Sequence, residues 1–259
     1  MALSTIKSSL VPPVIAHRGV SAEAPENTLA AFLRAKQLGL NWVEFDVMLA
    51  ATGEAVVIHD DDLKRTTNGK GRITDCSYSY LKTLDAGSWF NPIFANEGIP
   101  LLQEVLNLLH RQKLAANLEI KPFPGHEQAT VQRVFEILQE NKEGLPSPLL
   151  ISSFSPIVLQ MIRKMSMSIL LGVLMDEWQA NWQDLCAEVQ CISVNLNHML
   201  LNRARIEEIK AKGYLILAYT VNSIERAQEL LSWGVDAIFS DCPHAILTGL
   251  KIKGANHGN

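Results

Sequence analysis

The chain has 259 residues, 47% of them hydrophobic and 19% charged, with a formal net charge of −4. That balance belongs to a water-soluble globular protein able to bury a full core, and the weak negative charge argues against nucleic acid or an anionic membrane as partner. No stretch approaches the ~18–20 apolar residues of a bilayer span, so no stable membrane association is expected.

Met1 to Val14 carries Lys7 but no apolar core of ~7–15 residues and no small-residue cleavage site, which makes the cytoplasm the expected compartment. The first strand-like run is 14–17. An amphipathic segment over Thr28–Leu38 follows, then strand-like runs at 42–47 and 55–59. The few residues between these two runs, Thr52 and Gly53 among them, are too short for a parallel crossover, which needs roughly a dozen residues. Strand 55–59 is therefore expected to fold back antiparallel on 42–47, setting residue 59 near residue 46. Residues 60–100 break the rhythm with Asn68-Gly69, Gly71, Gly87 and the aromatics Tyr78, Tyr80, Trp89 and Phe90. So long an irregular stretch suggests a small inserted subdomain. Strand-like runs then recur at 115–120, 149–152, 169–174, 191–196, 214–220 and 235–239. Amphipathic segments at Gln128–Gln139, Ile157–Lys164, Arg203–Lys212 and Ile224–Trp233 lie between them.

Alternating β and α units favour a parallel sheet with helices outside it, and Gly39, Gly213 and Gly234 close helical patterns as C-cap glycines do. With the hairpin strand set aside, eight strands remain. They suit an α/β fold of the (β/α)8 type, one domain over 1–259 with residues 60–100 inserted after the third strand and lying over the barrel mouth. Cysteines 76, 186, 191 and 242 form no CxxC pair and lack histidines at zinc spacing, so they are expected to be reduced and structural. The tail from Lys251 is expected to fray.

Ionisable residues stand at the ends of four of the apolar runs: His17 and Arg18; Glu44 and Asp46; His59 and Asp60; Glu119 and Lys121. Burying such groups is costly, so four cases in one chain imply that several strands point polar ends at one place. Alternation puts Glu44 and Asp46 on one face of their strand, and likewise Glu119 and Lys121. Three oxygen ligands without sulfur or imidazole suit a hard cation, Mg2+ or Ca2+, with Mn2+ a third candidate. The carboxylates contribute −3 and Arg18 with Lys121 +2, so an empty site repels an anion and a dication makes it attractive to a phosphodiester. His17 and His59 have the right acidity to take a proton from an attacking hydroxyl and give one to a departing alkoxide.

Each residue alone has a plainer explanation. A histidine at a strand end is most often structural, Glu44 and Lys121 can form an ordinary salt bridge, and Gly19 can simply turn the chain. Asn27 fits the N-cap of a helix from Thr28. Asp60, Asp61, Asp62 and Arg65 fit solvated loop charges, and His110, His126, His198, His244 and His257 fit surface, loop or tail positions. Five barrel-mouth positions of the right type coinciding by chance is the harder case to sustain.

With these residues the sequence resembles the glycerophosphodiester phosphodiesterase family, in feel the cytoplasmic bacterial branch. The likeness runs through His17-Arg18-Gly19, Pro25-Glu26-Asn27-Thr28, Glu44-Phe45-Asp46, His59-Asp60 and Leu118-Glu119-Ile120-Lys121. It continues in Arg65-Thr66-Thr67-Asn68-Gly69, Asp85-Ala86-Gly87-Ser88-Trp89, Ser152-Ser153-Phe154, Val194 to His198, Tyr219 to Asn222 and Trp233 to Asp236. It thus covers about residues 14–245. The resemblance implies a (β/α)8 barrel that hydrolyses glycerophosphodiesters, such as glycerophosphocholine and glycerophosphoethanolamine, to sn-glycerol 3-phosphate and an alcohol. It implies metal binding by Glu44, Asp46 and Glu119, acid–base catalysis by His17 and His59, and phosphate binding by Arg18 and Lys121. Related barrel phosphodiesterases use the substrate's own 2-hydroxyl and pass through a cyclic phosphate; on that pattern His17 leans towards base and His59 towards acid.

Trp89 and Phe90 are candidates for an apolar wall, and Asn195, Asn197, Tyr219 and Asn222 for pocket lining. Two alternatives remain at this point. One is a lyase of the same barrel superfamily, resembling phosphatidylinositol phospholipase C or sphingomyelinase D and stopping at a cyclic product. The other is a non-catalytic phosphoester-binding barrel.

Overall fold

In the computed structural model, which describes residues 10–256, eight parallel strands close on themselves. They are β1 (Val14–Ala16), β2 (Trp42–Leu49), β4 (Ala115–Ile120), β5 (Leu149–Ser153), β6 (Leu170–Met175), β7 (Ser193–Asn197), β8 (Leu215–Tyr219) and β9 (Ala237–Ser240). Hydrogen bonding runs in that order and returns from β9 to β1, so the eight form a closed α/β barrel of the expected kind. β3 (Ala55–Val57) is the odd strand, pairing antiparallel with β2 through Val47↔Val57. β1 meets the same edge of β2 lower down, at Ala16↔Val43, and β3 takes that edge over beyond it. The hairpin expected from the short spacing is thus present, and Ile58 N–H donates to Asp46 C=O, setting His59 beside the acidic strand.

Around the barrel lie α1 (Leu29–Gln37), α3 (Leu102–Gln112), α4 (Glu127–Glu140), α5 (Pro156–Met165), α6 (Trp182–Val189), α7 (Arg203–Ala211), α8 (Ile224–Trp233) and α9 (Pro243–Asn256), with the short α2 (Tyr78–Leu81) in the insertion. Gly39, Gly213 and Gly234 have positive φ at the ends of α1, α7 and α8, as their placement predicted. α9 continues past Lys251, so the tail expected to fray there begins as helix. The expectations about Met1–Ser9 lie outside the described residues. Among the described residues no helix is long and apolar enough to cross a membrane.

Strand parity distributes the side chains. β2 is buried throughout. Its odd positions Val43, Phe45, Val47 and Leu49 join the layer between barrel and helices. Trp42 points inward and packs with Ile15, Ala115, Leu150, Leu215, Leu217, Ala237 and Phe239. The next inward positions are Glu44 and Asp46, and Met48 lies further on, beneath the insertion. An apolar plug therefore fills the barrel below the acidic residues, keeping water from one side of them. Within residues 60–100, Leu63, Ile73, Leu81, Leu84, Ala86 and Ile99 form a cluster of their own against Met48, Val56 and Ile58.

Candidate active site

The loop leaving β1 does most to shape the site. Arg18 (φ 54) and Gly19 (φ 79) both adopt the left-handed conformation. A Cβ on Gly19 would stand 2.6 Å from that of Ala31, so glycine is demanded both by conformation and by the packing of α1 against the loop. The turn aims the Arg18 backbone N–H at Glu44 Oε2, 2.9 Å away. Asn27 (φ 57) is also left-handed, and its amide donates to Asp46 Oδ2 at 2.9 Å. The expected N-cap role of Asn27 is therefore corrected: Thr28 caps α1, accepting from Ala31 N–H, and frees Asn27 to hold a carboxylate. Such backbone strain costs of order 1–3 kcal/mol per residue and clusters at functional sites.

The β2–β4 register sets Asp46 directly beside Glu119. With Glu44 these residues offer carboxylate oxygens all within 4.8 Å of one another, so the three can hold one metal ion. Burial, with Asp46 and Glu119 alongside, pushes Glu44 well above the ordinary carboxylate range. Burial and Asp46 push Glu119 up to about 8. Burial acts the same way on Asp46, but Lys121, Arg18, His59 and the Asn27 amide outweigh it and hold Asp46 below its ordinary value. Lys121 Nζ and Arg18 Nε each lie 3.6 Å from Asp46. The Glu44–Lys121 pair considered as a plain alternative is not the one formed.

Each imidazole is held at Nδ1 by an aspartate. His17 Nδ1 is 2.7 Å from Asp241 Oδ1, and its Nε2 lies 3.9 Å from Glu44. His59 Nδ1 is 2.6 Å from Asp60 Oδ1. Burial, with Arg18 and Lys121 nearby, holds His59 below its ordinary value against the pull of Asp46. Asp60 and Arg65, expected as solvated loop charges, are instead part of a network. Arg65 donates to Asp60 at 2.5 and 3.0 Å and grips Glu26 with two bonds of 2.6 and 2.8 Å, while Glu26 also receives Arg18 at 2.8 Å. The hydrogen bond from Arg65 leads in holding Asp60 far below the usual carboxylate range.

The seven candidate site residues line one cleft, whose empty space of about 500 Å³ opens to solvent: His17, Arg18, Glu44, Asp46, His59, Glu119 and Lys121. Its apolar side comes from Phe154, Leu174, Tyr219 and Phe239. Of these only Tyr219 was a pocket candidate. Trp89 and Phe90 are not part of this wall; Trp89 donates its indole N–H to Ala86 C=O and packs edge-on against Phe90. Asn195 is buried and accepts from Ser193, Asn197 caps the turn at Met199, and Asn222 lines a neighbouring hollow beside Asp241. Sequence reasoning missed Glu26, Asp241 and Ser21. Asp241 carried one signal, a carboxylate one residue beyond a strand that ends at the same mouth.

Residues 17–245 match the model of the glycerophosphoryl diester phosphodiesterase family. The chain belongs to that family. A glycerophosphodiester phosphodiesterase of Caldanaerobacter subterraneus subsp. tengcongensis is 34% identical over 245 residues, 93% of this chain and 98% of that one. A phosphodiesterase of Oleispira antarctica, solved in complex with the product sn-glycerol-3-phosphate, is 38% identical with a TM-score of 0.90, covering 95% of this chain and 99% of its own. The glycerophosphodiester phosphodiesterase of Agrobacterium tumefaciens str. C58 superposes with a TM-score of 0.76 at 28% identity, covering 91% and 99%. The motif resemblance is thereby borne out, and the chain is an enzyme of the glycerophosphodiester phosphodiesterase class. Family membership sets aside the non-catalytic alternative.

Proposed function

We propose that this phosphodiesterase hydrolyses glycerophosphodiesters, glycerophosphocholine and glycerophosphoethanolamine among them, to sn-glycerol 3-phosphate and an alcohol. In this reading Glu44, Asp46 and Glu119 hold one divalent cation, Arg18 and Lys121 bind phosphate, and His17 and His59 exchange protons with the reacting oxygens. The observation that carries it is the meeting of three buried carboxylates, two cations and two aspartate-held imidazoles in one cavity.

The trio fits a hard cation. Glu119 Oε1 is buried without a hydrogen-bond partner, and the raised pKa values of Glu44 and Glu119 express burial and the crowding of like charges, which a dication would relieve. An all-oxygen donor set favours Mg2+ or Ca2+, with Mn2+ third. When bound, the ion supplies positive charge against the phosphate's non-bridging oxygens. Arg18 and Lys121 add two further charges on the same side, and Glu26 keeps the Arg18 guanidinium in place. Phe154, Leu174, Tyr219 and Phe239 offer an apolar wall for the glycerol carbons. One imidazole removes a proton from the attacking hydroxyl and the other protonates the departing alkoxide. The attacking group is the substrate's 2-hydroxyl, whose bond to phosphorus displaces the alcohol and leaves a cyclic phosphate that water then opens. Residues 60–100 act as a subdomain over the mouth of the single barrel domain, with Arg65 reaching back to Glu26 and Asp60. The partner is a small-molecule substrate, and neither nucleic acid nor a membrane has a role.

The test is a coupled assay for released glycerol 3-phosphate over a panel of headgroups, with chelator and metal add-back. Activity should vanish with EDTA and return with Mg2+ or Ca2+. Full turnover in metal-stripped protein would refute the reading, and undiminished turnover of a 2-deoxy substrate would refute internal attack. A cyclic phosphate persisting in the phosphorus NMR spectrum would mark the lyase alternative.

A further inference from the structure

Asp241 stands one residue beyond β9, 224 positions along the chain from His17. The two meet because β1 and β9 close the barrel through Ala16↔Ser240. Three donors fix the Asp241 carboxylate. His17 Nδ1 lies 2.7 Å and Ser21 Oγ 2.9 Å from Oδ1, and Asn222 Nδ2 donates to Oδ2 at 2.6 Å. The Asp241 backbone N–H donates in turn to Asn222 Oδ1 at 2.9 Å. Ser21 Oγ also lies 2.9 Å from the carbonyl of His17, so its single hydrogen is shared between that carbonyl and Asp241 Oδ1. Held from three sides, the carboxylate cannot swing away from the ring.

An ionised carboxylate only accepts hydrogen bonds, so its contact with His17 requires the hydrogen on Nδ1. In the neutral ring the lone pair then sits on Nε2, which faces Glu44 on the acidic side of the cavity. Whichever direction the proton moves, it moves at Nε2. From this geometry we infer that Asp241 is a positioning residue for His17, fixing the ring's tautomer and direction so that Nε2 alone exchanges protons with substrate. The inference rests on the reading of His17 as an acid–base group. An aspartate serving only to tie the loops after β1, β8 and β9 would leave the tautomer and the chemistry alone, and that difference is measurable.

The experiment uses metal-loaded, [15N]histidine-labelled protein, in which two-bond 1H–15N correlations report which ring nitrogen carries hydrogen. Wild-type His17 should be the Nδ1–H tautomer. In Asp241→Asn the new amide can donate to Nδ1, and His17 should turn to the Nε2–H tautomer. kcat should fall at least ~100-fold. KM should change little, because substrate binding is left intact. Should Asp241→Asn not fold, Ser21→Ala, which loosens Oδ1, should lower kcat about tenfold in the same direction. Wild-type kcat in folded Asp241→Asn overturns the inference, as does a loss of kcat with His17 still in the Nδ1–H form. Full activity in His17→Ala would instead remove the acid–base reading beneath it, so the two failures are distinguishable.

Discussion

Glu119→Gln separates the electrostatics of the acidic trio from its packing, because glutamine keeps the shape and loses the charge. In metal-free protein the Glu119 carboxyl is raised from 4.5 to about 8, by burial and by Asp46. Unfolding returns it to the ordinary carboxylate range, so from about pH 4.5 to about 8 the folded chain keeps a proton that the unfolded chain has lost. Stability from this group is complete below about pH 4.5, declines as pH rises, and is fully lost above about pH 8. At ~1.4 kcal/mol per pH unit the rise amounts to about 5 kcal/mol. For a domain of this size that corresponds to about 10–20 °C in Tm. Metal-stripped wild type should therefore lose much more stability between pH 5 and 8.5 than metal-stripped Glu119→Gln, by urea or thermal unfolding of both proteins. Added Mg2+ or Ca2+ should rescue the wild type at pH 8.5, since the cation takes the proton's place, and should leave the variant unchanged. Between pH 6 and 7.5 the wild-type Kd for the ion should tighten at least tenfold per pH unit, because binding displaces protons held by Glu119 and Glu44. Parallel pH profiles for the two proteins would refute the reasoning.

His59→Ala should lower kcat at least ~100-fold while calorimetry shows cation binding retained. Arg65→Ala releases Glu26 and Asp60 together and should reduce kcat/KM about 10–100-fold in the glycerol 3-phosphate assay. Gly19→Ala meets both a positive φ and the Ala31 side chain, and should cost about 2–4 kcal/mol in urea unfolding. Phe154→Ala opens the apolar wall and should raise KM for every headgroup alike, because the wall faces the shared glycerol moiety; a headgroup-selective change would show that it contacts the alcohol instead.

What could be read from the sequence was local and periodic. The β2–β3 hairpin follows from a connection too short to cross over, and the placing of Glu44, Asp46 and Glu119 follows from strand parity. These constraints hold within one or two elements. Groups that act through distant partners were hidden. The strand-end position of Asp241 places it at the mouth without naming residue 17 as its partner, and Glu26 looks like a surface acid until the folded chain brings Arg18 and Arg65 to it. The role of Asn27 is hidden because its side chain is bonded to Asp46, nineteen residues further along the chain. The cavity's apolar wall is hidden in the sequence for another reason. Phe154, Leu174 and Phe239 come from separate strand ends, and each looks like an ordinary core residue until the barrel closes. Trp89 and Phe90, aromatics of the insertion that fit an apolar wall, pack against each other within it instead.

The seam between β1 and β9 joins the first strand of the described residues to the last. A polypeptide interrupted before Ala237 would present β1 and β8 as bare edges, open to pairing with other chains. It would also lack the aspartate that grips the first imidazole. The closed ring and that aspartate thus arrive together, only when translation has delivered the ninth strand and the residue after it.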